Sequence, residues 1–141
     1  MQKEFKKFTL KTFPSRGYNL TPLEFKDVIP FDVKRTYYLT NFEPGANTGE
    51  HCHYVEEEVF ILLQGTSTLV TEENGNKKEV PLATDEAVYV PNYVWHGFKN
   101  PSSDCVILAL SSTNYNATRE DYLDDFDKFL EVRDKQKLAG G

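Results

Sequence analysis

Three histidines and one glutamate are the side chains of this sequence whose types and spacing could do chemistry together. His51 and His53 lie two residues apart in the segment GEHCHYVEEEVFILLQG, which also contains Glu58. His96 lies further along the chain in VPNYVWHGFKN and completes the set of three histidines. Neutral imidazoles with one carboxylate suit a divalent transition metal such as Fe, Mn, Ni, Cu or Zn. An imidazole also serves as a general acid or base near neutral pH.

Strand geometry decides which of the neighbouring side chains lie together. Residues two apart on a β-strand point to the same face, so His51 and His53 share one face and Cys52 points to the other. Cys52 is therefore a poor third ligand. We expect Cys52 and Cys105 to be buried structural side chains.

Glu58 reaches the two histidines only if the chain turns between them. On one flat strand Glu58 would lie on the face opposite His53, but a turn at YVEE lets it begin the next strand and point inward. Glu56 and Glu57 belong to the same acidic run. We expect these two to face solvent, because acidic side chains at a turn are usually hydrated.

Short β-rich segments separated by turns must position these side chains. The Asn74-Gly75 dipeptide is a strong hairpin signal, and residues 105–112 have the apolar density of a buried strand. Many short strands at regular spacing indicate a β-sandwich or barrel. We therefore predict an all-β jelly-roll barrel over residues 8–113, approximately, within a single domain that spans 1–141.

The sequence changes character near its C-terminus. Thr118 with Asp121 three residues later resembles a helical capping box, and acidic residues precede basic ones, as a helix dipole prefers. These features predict one C-terminal α-helix at about 118–136, packed against the outside of the barrel. The apolar residues that recur at helical spacing are Tyr122, Phe126, Phe129 and Leu130.

Length, charge and composition limit the class of protein. A chain of 141 residues corresponds to about one domain, and a formal net charge of −6 argues against nucleic acid or an anionic membrane as a partner. The N-terminal segment MQKEFKKFTLKTF lacks the apolar stretch of a signal peptide, and no segment reaches transmembrane length. Two cysteines do not make a disulfide framework. We expect a cytoplasmic protein.

The intervals around the histidines resemble the two motifs of the cupin superfamily. The first motif is matched by Gly45, His51, His53, Glu58 and Gly65. The second is matched by Pro91, His96 and Asn100, with Asp85 and Tyr93 at positions where glycine is usual. In cupins the three histidines and the glutamate bind one divalent metal inside a small β-barrel. The resemblance implies these metal ligands: His51, His53, Glu58 and His96.

A narrower resemblance covers nearly the whole chain. The segments IPFDVKRTYYL, GEHCH, VPNYVWH, SSDCVILALSSTNY and REDYLDDFDKFLE resemble the WxcM-like nucleotide-sugar 3,4-ketoisomerases. These cupins convert dTDP-4-oxo-6-deoxy-glucose into its 3-oxo isomer. The resemblance implies a homodimer with exchanged N-terminal strands. It also implies a deoxysugar or aminosugar pathway, such as O-antigen or polysaccharide biosynthesis, in which an aminotransferase acts next.

The same resemblance assigns roles to individual residues. Its two proton-transferring histidines correspond to His51 and His53, and its active-site tyrosine corresponds to Tyr37. The substrate-binding positions of the family correspond to Arg16, Arg35 and His96. Two of them, Arg16 and His96, are thought to set the C4 configuration of the product. Arg16 and His96 together look like the galacto-configured branch.

Two departures from the family pattern bear on mechanism. The family has an arginine just before the glycine of its RG-x-H-x-H segment, and this chain has Thr48, which removes a cation near the substrate. The family has glutamine where this chain has Glu58, and it usually works without metal. The glutamate completes a cupin ligand set here. A metal-dependent cupin of another kind therefore stays open as the alternative: a dioxygenase, a different isomerase, or a small-molecule or sugar-binding module.

Overall fold

Antiparallel strands make up most of residues 3–140, the part of the chain that this computed structural model describes. A five-stranded sheet and a three-stranded sheet face each other. In spatial order the larger sheet contains β1 (Lys6–Thr9), β9 (Glu86–Val90), β6 (Glu58–Gln64), β11 (Val106–Ser111) and β4 (Arg35–Leu39). The smaller sheet contains β10 (Gly97–Lys99), β7 (Thr66–Glu73) and β8 (Asn76–Ala83).

Four shorter strands and two helices complete the fold. The paired strands β5 (Cys52–His53) and β12 (Tyr122–Leu123) form one ribbon, and β2 (Phe13–Ser15) and β3 (Tyr18–Leu20) form a separate hairpin. The helices are α1 (Phe25–Val28) and α2 (Phe126–Gly140). The predicted all-β fold with a C-terminal helix is confirmed, and its strands β1 to β11 span residues close to the predicted barrel range. The single turn of α1 was not predicted.

The central strand β6 is apolar because both of its faces are buried. Phe60 and Leu62 point into the core between the two sheets, where they pack with side chains such as Leu69 and Phe98. Val59 and Ile61 point to the other face of the larger sheet, which residues 23–33 cover. Burial on both faces explains the nearly continuous apolar run that the sequence shows here.

Left-handed backbone conformations occur where the sequence motifs lead one to expect glycine. Asn74 and Gly75, with φ of 54° and 85°, join β7 to β8 in the predicted hairpin. Asp85 has φ of 70° and Tyr93 has φ of 59°, at the two second-motif positions where glycine is usual. Both residues therefore keep the backbone geometry of the motif although they lack its glycines.

The prediction for the start of the C-terminal helix was wrong. Helix α2 begins at Phe126 rather than near 118, and it continues to Gly140. Arg119 has φ of 57°, which no α-helix accommodates, and Tyr122–Leu123 pair with β5 instead. Asp125 caps the helix, because its side chain accepts a hydrogen bond from the Lys128 N–H at 3.0 Å.

Helix α2 packs on the barrel through a small aromatic cluster. Phe129 is buried against Trp95, Cys52 and Leu123. Cys52 and Cys105 are both buried free thiols, as expected, and burial raises the pKa of Cys52 to about 12. Within residues 3–140, neither helix has the length and apolar character needed to cross a lipid bilayer.

Candidate active site

Backbone hydrogen bonds join the two segments that contain the histidines. His51 and His96 form an isolated antiparallel bridge, with N–H to carbonyl distances of 3.0 and 2.8 Å. The Tyr93 N–H also donates to the His53 carbonyl at 2.8 Å. A side chain at Gly97 would overlap the carbonyl oxygen of Gly49, so the close approach of the two segments requires glycine there. The histidines are thereby fixed relative to one another.

The four side chains singled out by spacing converge at one end of the sandwich. His51 Nε2 lies 3.1 Å from His53 Nε2, and Glu58 Oε2 lies 3.3 Å from His96 Nε2 and 3.9 Å from His53 Nε2. Glu58 is 2% exposed, so the chain does turn between His53 and β6 to point this carboxylate inward. The three histidines offer ligand atoms within 4.8 Å of one another.

Hydrogen bonds at the other ring nitrogen, Nδ1, orient two of these imidazole rings. His53 Nδ1 lies 2.9 Å from the Asp121 carbonyl oxygen, and His96 Nδ1 lies 3.0 Å from the Val94 carbonyl oxygen. Each Nδ1 must carry a proton to make these bonds, which leaves a lone pair on each inward-facing Nε2. Histidines that bind metals are commonly held in this way. Within residues 3–140, the buried His96 Nε2 has no hydrogen-bond partner.

The donor set therefore fits one divalent transition ion. Donor atoms that share an ion at bonds of about 2.0–2.2 Å lie roughly 3–4 Å apart, as do the His51–His53, Glu58–His96 and Glu58–His53 pairs at 3.1, 3.3 and 3.9 Å. The residues that would hold the ion are His51, His53, Glu58 and His96, the set that the cupin resemblance implies.

Electrostatics keep the histidine His51 neutral and Glu58 ionised. Burial, followed by the neighbouring His96 and His53 rings, lowers the pKa of His51 to about 2. Burial would raise the pKa of Glu58, but His96, His53 and the Tyr37 hydroxyl together hold it below its ordinary value. A neutral imidazole beside a carboxylate can accept a proton or bind a metal.

Tyr37 projects from β4 toward the same four side chains. Its hydroxyl donates to Glu58 Oε1 at 2.5 Å. Burial, and then the nearby Glu58 charge, raise the pKa of Tyr37 above its ordinary value. Tyr37 therefore stays protonated, and the Tyr37–Glu58 pair holds a proton at the edge of the histidine cluster.

Arg35 is placed beside the site, but its charge is already paired. Its guanidinium donates to Glu56 Oε1 at 2.9 Å, and the Ser111 hydroxyl donates to the same oxygen. Glu56 Oε2 also lies 3.4 Å from His53 Nε2. A positive charge formed on His53 is therefore balanced by adjacent carboxylates.

The expectation that Glu56 and Glu57 face solvent was wrong. Glu56 and Glu57 are 6% and 8% exposed. Glu57 accepts hydrogen bonds from Tyr89 and, at 2.9 Å, from Lys3. These partners are all distant in sequence, so the burial of the two carboxylates could not be predicted from the acidic run alone.

A cavity of about 310 Å³ opens beside His53. It is lined by residues within 113–122, together with Arg35, His53 and Glu56. The helix prediction had misplaced the part of that segment that begins at residue 118. Tyr122 stacks on His51 with ring centroids 4.3 Å apart. Asp121 holds the turn after His53, because its carboxylate accepts the Val55 and Glu56 N–H groups at 2.6 and 2.9 Å. The site residues that the spacing argument missed are Glu56, Tyr115, Arg119, Asp121 and Tyr122.

Arg16 is not brought to this cavity within one chain. It is exposed and lies in the turn of the β2–β3 hairpin, and it is absent from the lining of the cavity within residues 3–140. Thr48 supplies no charge, and its hydroxyl accepts the Phe98 N–H at 2.9 Å.

Comparison with known proteins identifies the family of this chain. A model of the family described as "FdtA: WxcM-like, C-terminal" matches residues 2–134. The chain belongs to this family. A curated relative, TDP-4-oxo-6-deoxy-alpha-D-glucose-3,4-oxoisomerase of Aneurinibacillus thermoaerophilus, is 33% identical over 120 residues, which are 84% of each chain.

Solved structures of family members share the fold over nearly their whole length. QdtA, a sugar 3,4-ketoisomerase from Thermoanaerobacterium thermosaccharolyticum in complex with TDP, has a TM-score of 0.84 at 28% identity, covering 96% of this chain and 98% of that one. WlaRA, a TDP-fucose-3,4-ketoisomerase from Campylobacter jejuni, has a TM-score of 0.81 at 25% identity, covering 93% and 96%.

Proposed function

We propose that this protein is a 3,4-ketoisomerase that acts on a dTDP-linked 4-oxo-6-deoxy-hexose. The observation that carries the proposal is the paired Nε2 atoms of His51 and His53, 3.1 Å apart, with the protonated Tyr37 bonded to the adjacent Glu58 and with His53 lining an open cavity. This arrangement supplies a base and a proton donor to adjacent carbons of one substrate. The family relatives act on such nucleotide sugars.

The reaction requires only that protons move between adjacent atoms. Removal of the C3 proton shifts its electron pair into a C3–C4 double bond, and the C4 carbonyl oxygen takes up a proton to become an enediol hydroxyl. The later loss of the O3 hydroxyl proton balances this uptake. Delivery of a proton to C4, with loss of the O3 hydroxyl proton, leaves the carbonyl at C3. The product is an isomer, and no oxidant or reductant is consumed.

The residues of the site have complementary roles in this sequence of steps. His51 and His53 act together as the base: an Nε2 lone pair takes the C3 proton, which then lies between the two Nε2 atoms, 3.1 Å apart, and is shared by both rings. Glu56 and Asp121, next to His53, balance the positive charge that results. The Tyr37–Glu58 pair supplies the proton for C4. Correct placement of such groups accelerates reactions by about 10²–10⁴-fold.

The test is incubation with dTDP-4-oxo-6-deoxy-glucose in D₂O, followed by NMR. We expect deuterium at C3 of the recovered substrate, a 3-oxo product, or both. The proposal would be overturned if both signals were absent with dTDP-, UDP- and GDP-linked 4-oxo sugars, with and without chelator.

We also propose that the working form is a homodimer in which the N-terminal strands are exchanged. The β2–β3 hairpin exposes apolar side chains, with Tyr18 63% and Leu20 57% exposed, and Arg16 lies in its turn away from the cavity. Exchange would bring Arg16 to the partner's site. Sedimentation should give twice the 16.2 kDa chain mass, and a stable monomer would contradict the proposal.

A place in deoxysugar or aminosugar synthesis, and a cytoplasmic location, stay predictions.

A second candidate function, a metal-dependent cupin, is supported by the convergence of four donor side chains. The ion would act as a Lewis acid toward adjacent sugar oxygens. In that form His51 and His53 are metal ligands and cannot also act as free bases. The two functions therefore exclude each other at these rings. Isomerase activity that persists in the presence of a chelator would support the metal-free isomerase, in which the imidazoles are free bases.

Replacement Glu58→Gln is expected to weaken binding of Zn²⁺ or Mn²⁺ by at least tenfold while the protein stays folded. The change is nearly isosteric, but it removes the negative charge that faces His96 and His53. Isothermal titration of the metal-free protein measures the affinity, and Glu73→Gln, on an exposed residue of β7, is the matched control. Equal affinities of Glu58→Gln and the unsubstituted protein would show that this carboxylate is not a ligand.

A further inference from the structure

The cavity beside the histidines contains two arginines in different electrostatic situations. Arg35 donates to the buried Glu56 at 2.9 Å, so its charge is balanced within the protein. The guanidinium of Arg119 forms no ion pair or hydrogen bond with residues 3–140. An anion that enters this cavity therefore meets one cation whose charge is paired within the protein and one whose charge is not.

Arg119 is held close to the reacting groups by an aromatic stack. Its guanidinium carbon lies 4.0 Å from the centre of the Tyr122 ring, and the opposite partner of that ring is His51, 4.3 Å away between centroids. A guanidinium placed over an aromatic ring keeps its N–H donors available at its edge. Arg119 thus stands one aromatic ring away from His51.

The backbone at Arg119 takes an unfavourable conformation to achieve this position. Its φ of 57° lies in the left-handed region, which is unfavourable for a residue with a side chain. The Tyr122 N–H donates to the Arg119 carbonyl at 3.2 Å, and Tyr122 itself is fixed by pairing with His53. The position of Arg119 is therefore tied to the strand that contains His53.

We propose that Arg119 binds the diphosphate of the nucleotide sugar and so places the sugar ring against His51 and His53. In a nucleotide-linked hexose the diphosphate lies one sugar ring away from C3 and C4, which matches the one-ring separation of Arg119 from His51. Guanidinium groups bind phosphate oxygens through paired, charge-assisted hydrogen bonds. The inference rests on the proposed nucleotide-sugar substrate.

The negative charge of the protein and of the cavity lining favours such a cation. The formal net charge is −6, and Glu56 and Asp121 both line the cavity. A doubly charged diphosphate would be repelled unless a free cation offset these charges. Arg119 meets that requirement, whereas freeing Arg35 would leave Glu56 as a buried unpaired charge.

The experiment compares binding of TDP and thymidine by isothermal titration. For Arg119→Gln we expect TDP affinity to fall by about 10- to 100-fold, the usual effect of losing hydrogen bonds to a charged group. Thymidine affinity should not change. Arg119→Lys should recover part of the TDP affinity, because it keeps the charge but not the planar fork. Lys128→Gln, on exposed helix α2, is the control for the lost positive charge.

Kinetics separate this inference from the proposed function. With Arg119→Gln the KM for the nucleotide sugar should rise by about 10- to 100-fold while kcat stays within a few-fold of the unsubstituted protein, since the proton-transferring groups remain. If the unsubstituted protein binds TDP and isomerises the sugar but Arg119→Gln binds TDP equally well, Arg119 is not the diphosphate ligand and the isomerase proposal stands. If the unsubstituted protein neither binds TDP nor isomerises any 4-oxo sugar, the function and this inference fail together.

Discussion

Replacement His51→Asn is expected to lower the isomerisation rate by about 10²–10⁴-fold, the usual contribution of a positioned general base. Asparagine preserves the backbone bridge to His96 but removes the ring nitrogen that lies 3.1 Å from His53. Without that second ring, a proton taken from C3 cannot be shared between two imidazoles. The NMR assay in D₂O should show neither deuterium at C3 nor product.

Retained binding distinguishes a catalytic role of His51 from a structural one. The variant should melt within a few degrees of the unsubstituted protein, and it should bind TDP with unchanged affinity, because the proposed diphosphate ligand Arg119 contacts Tyr122 rather than His51 itself. Normal TDP binding without deuterium exchange would place the loss at C3 proton removal. Exchange at the unsubstituted rate would show that His51 is not part of the base.

The sequence was sufficient to predict which histidines meet. His51 and His53 follow from the two-residue period of a strand, and His96 from the second motif. The inward turn of Glu58 could also be inferred from local sequence, because a turn before an apolar strand reverses the side chain's face. These are local features, and the structure brings together the four side chains that they indicated.

The surroundings of the histidines could not be predicted from local sequence, since they depend on contacts between distant segments. Glu56 is buried because Arg35 and Ser111, which lie 21 and 55 residues away in sequence, reach it. Tyr122, the first of the apolar residues at helical spacing, lies before α2, and its ring stacks on His51 instead of continuing the helix. Tertiary contacts overrode the local helical pattern, and the cavity wall was missed with it.

Arg16 shows a second limit of prediction from the sequence of one chain. Its assignment to the substrate rested on resemblance, and one chain leaves it on an exposed hairpin. No pattern within a sequence states whether a residue serves its own site or that of a second copy. The exposed apolar side chains of the same hairpin, such as Tyr18 and Leu20, are what make exchange between two chains a reasonable proposal.

Replacement Tyr37→Phe is expected to lower kcat by about 10²–10⁴-fold by removing the proton donor for C4. The ring stays in the core and under Arg35, so only the hydroxyl that donates to Glu58 is lost. The buried carboxylate then lacks one donor, which should lower the free energy of unfolding by about 1–3 kcal/mol. The neighbouring Tyr38 is 68% exposed, and Tyr38→Phe is the matched control that should change neither quantity.

The pattern of deuterium labelling makes the Tyr37 prediction specific. Because His51 and His53 remain in Tyr37→Phe, the base still removes and returns the C3 proton, so deuterium should enter at C3 while little 3-oxo product forms. His51→Asn should abolish exchange and product alike, so the two variants separate the two proton transfers. Product formation by Tyr37→Phe within about threefold of the unsubstituted rate, a change well below the contribution of a general acid, would show that the C4 proton comes from another group.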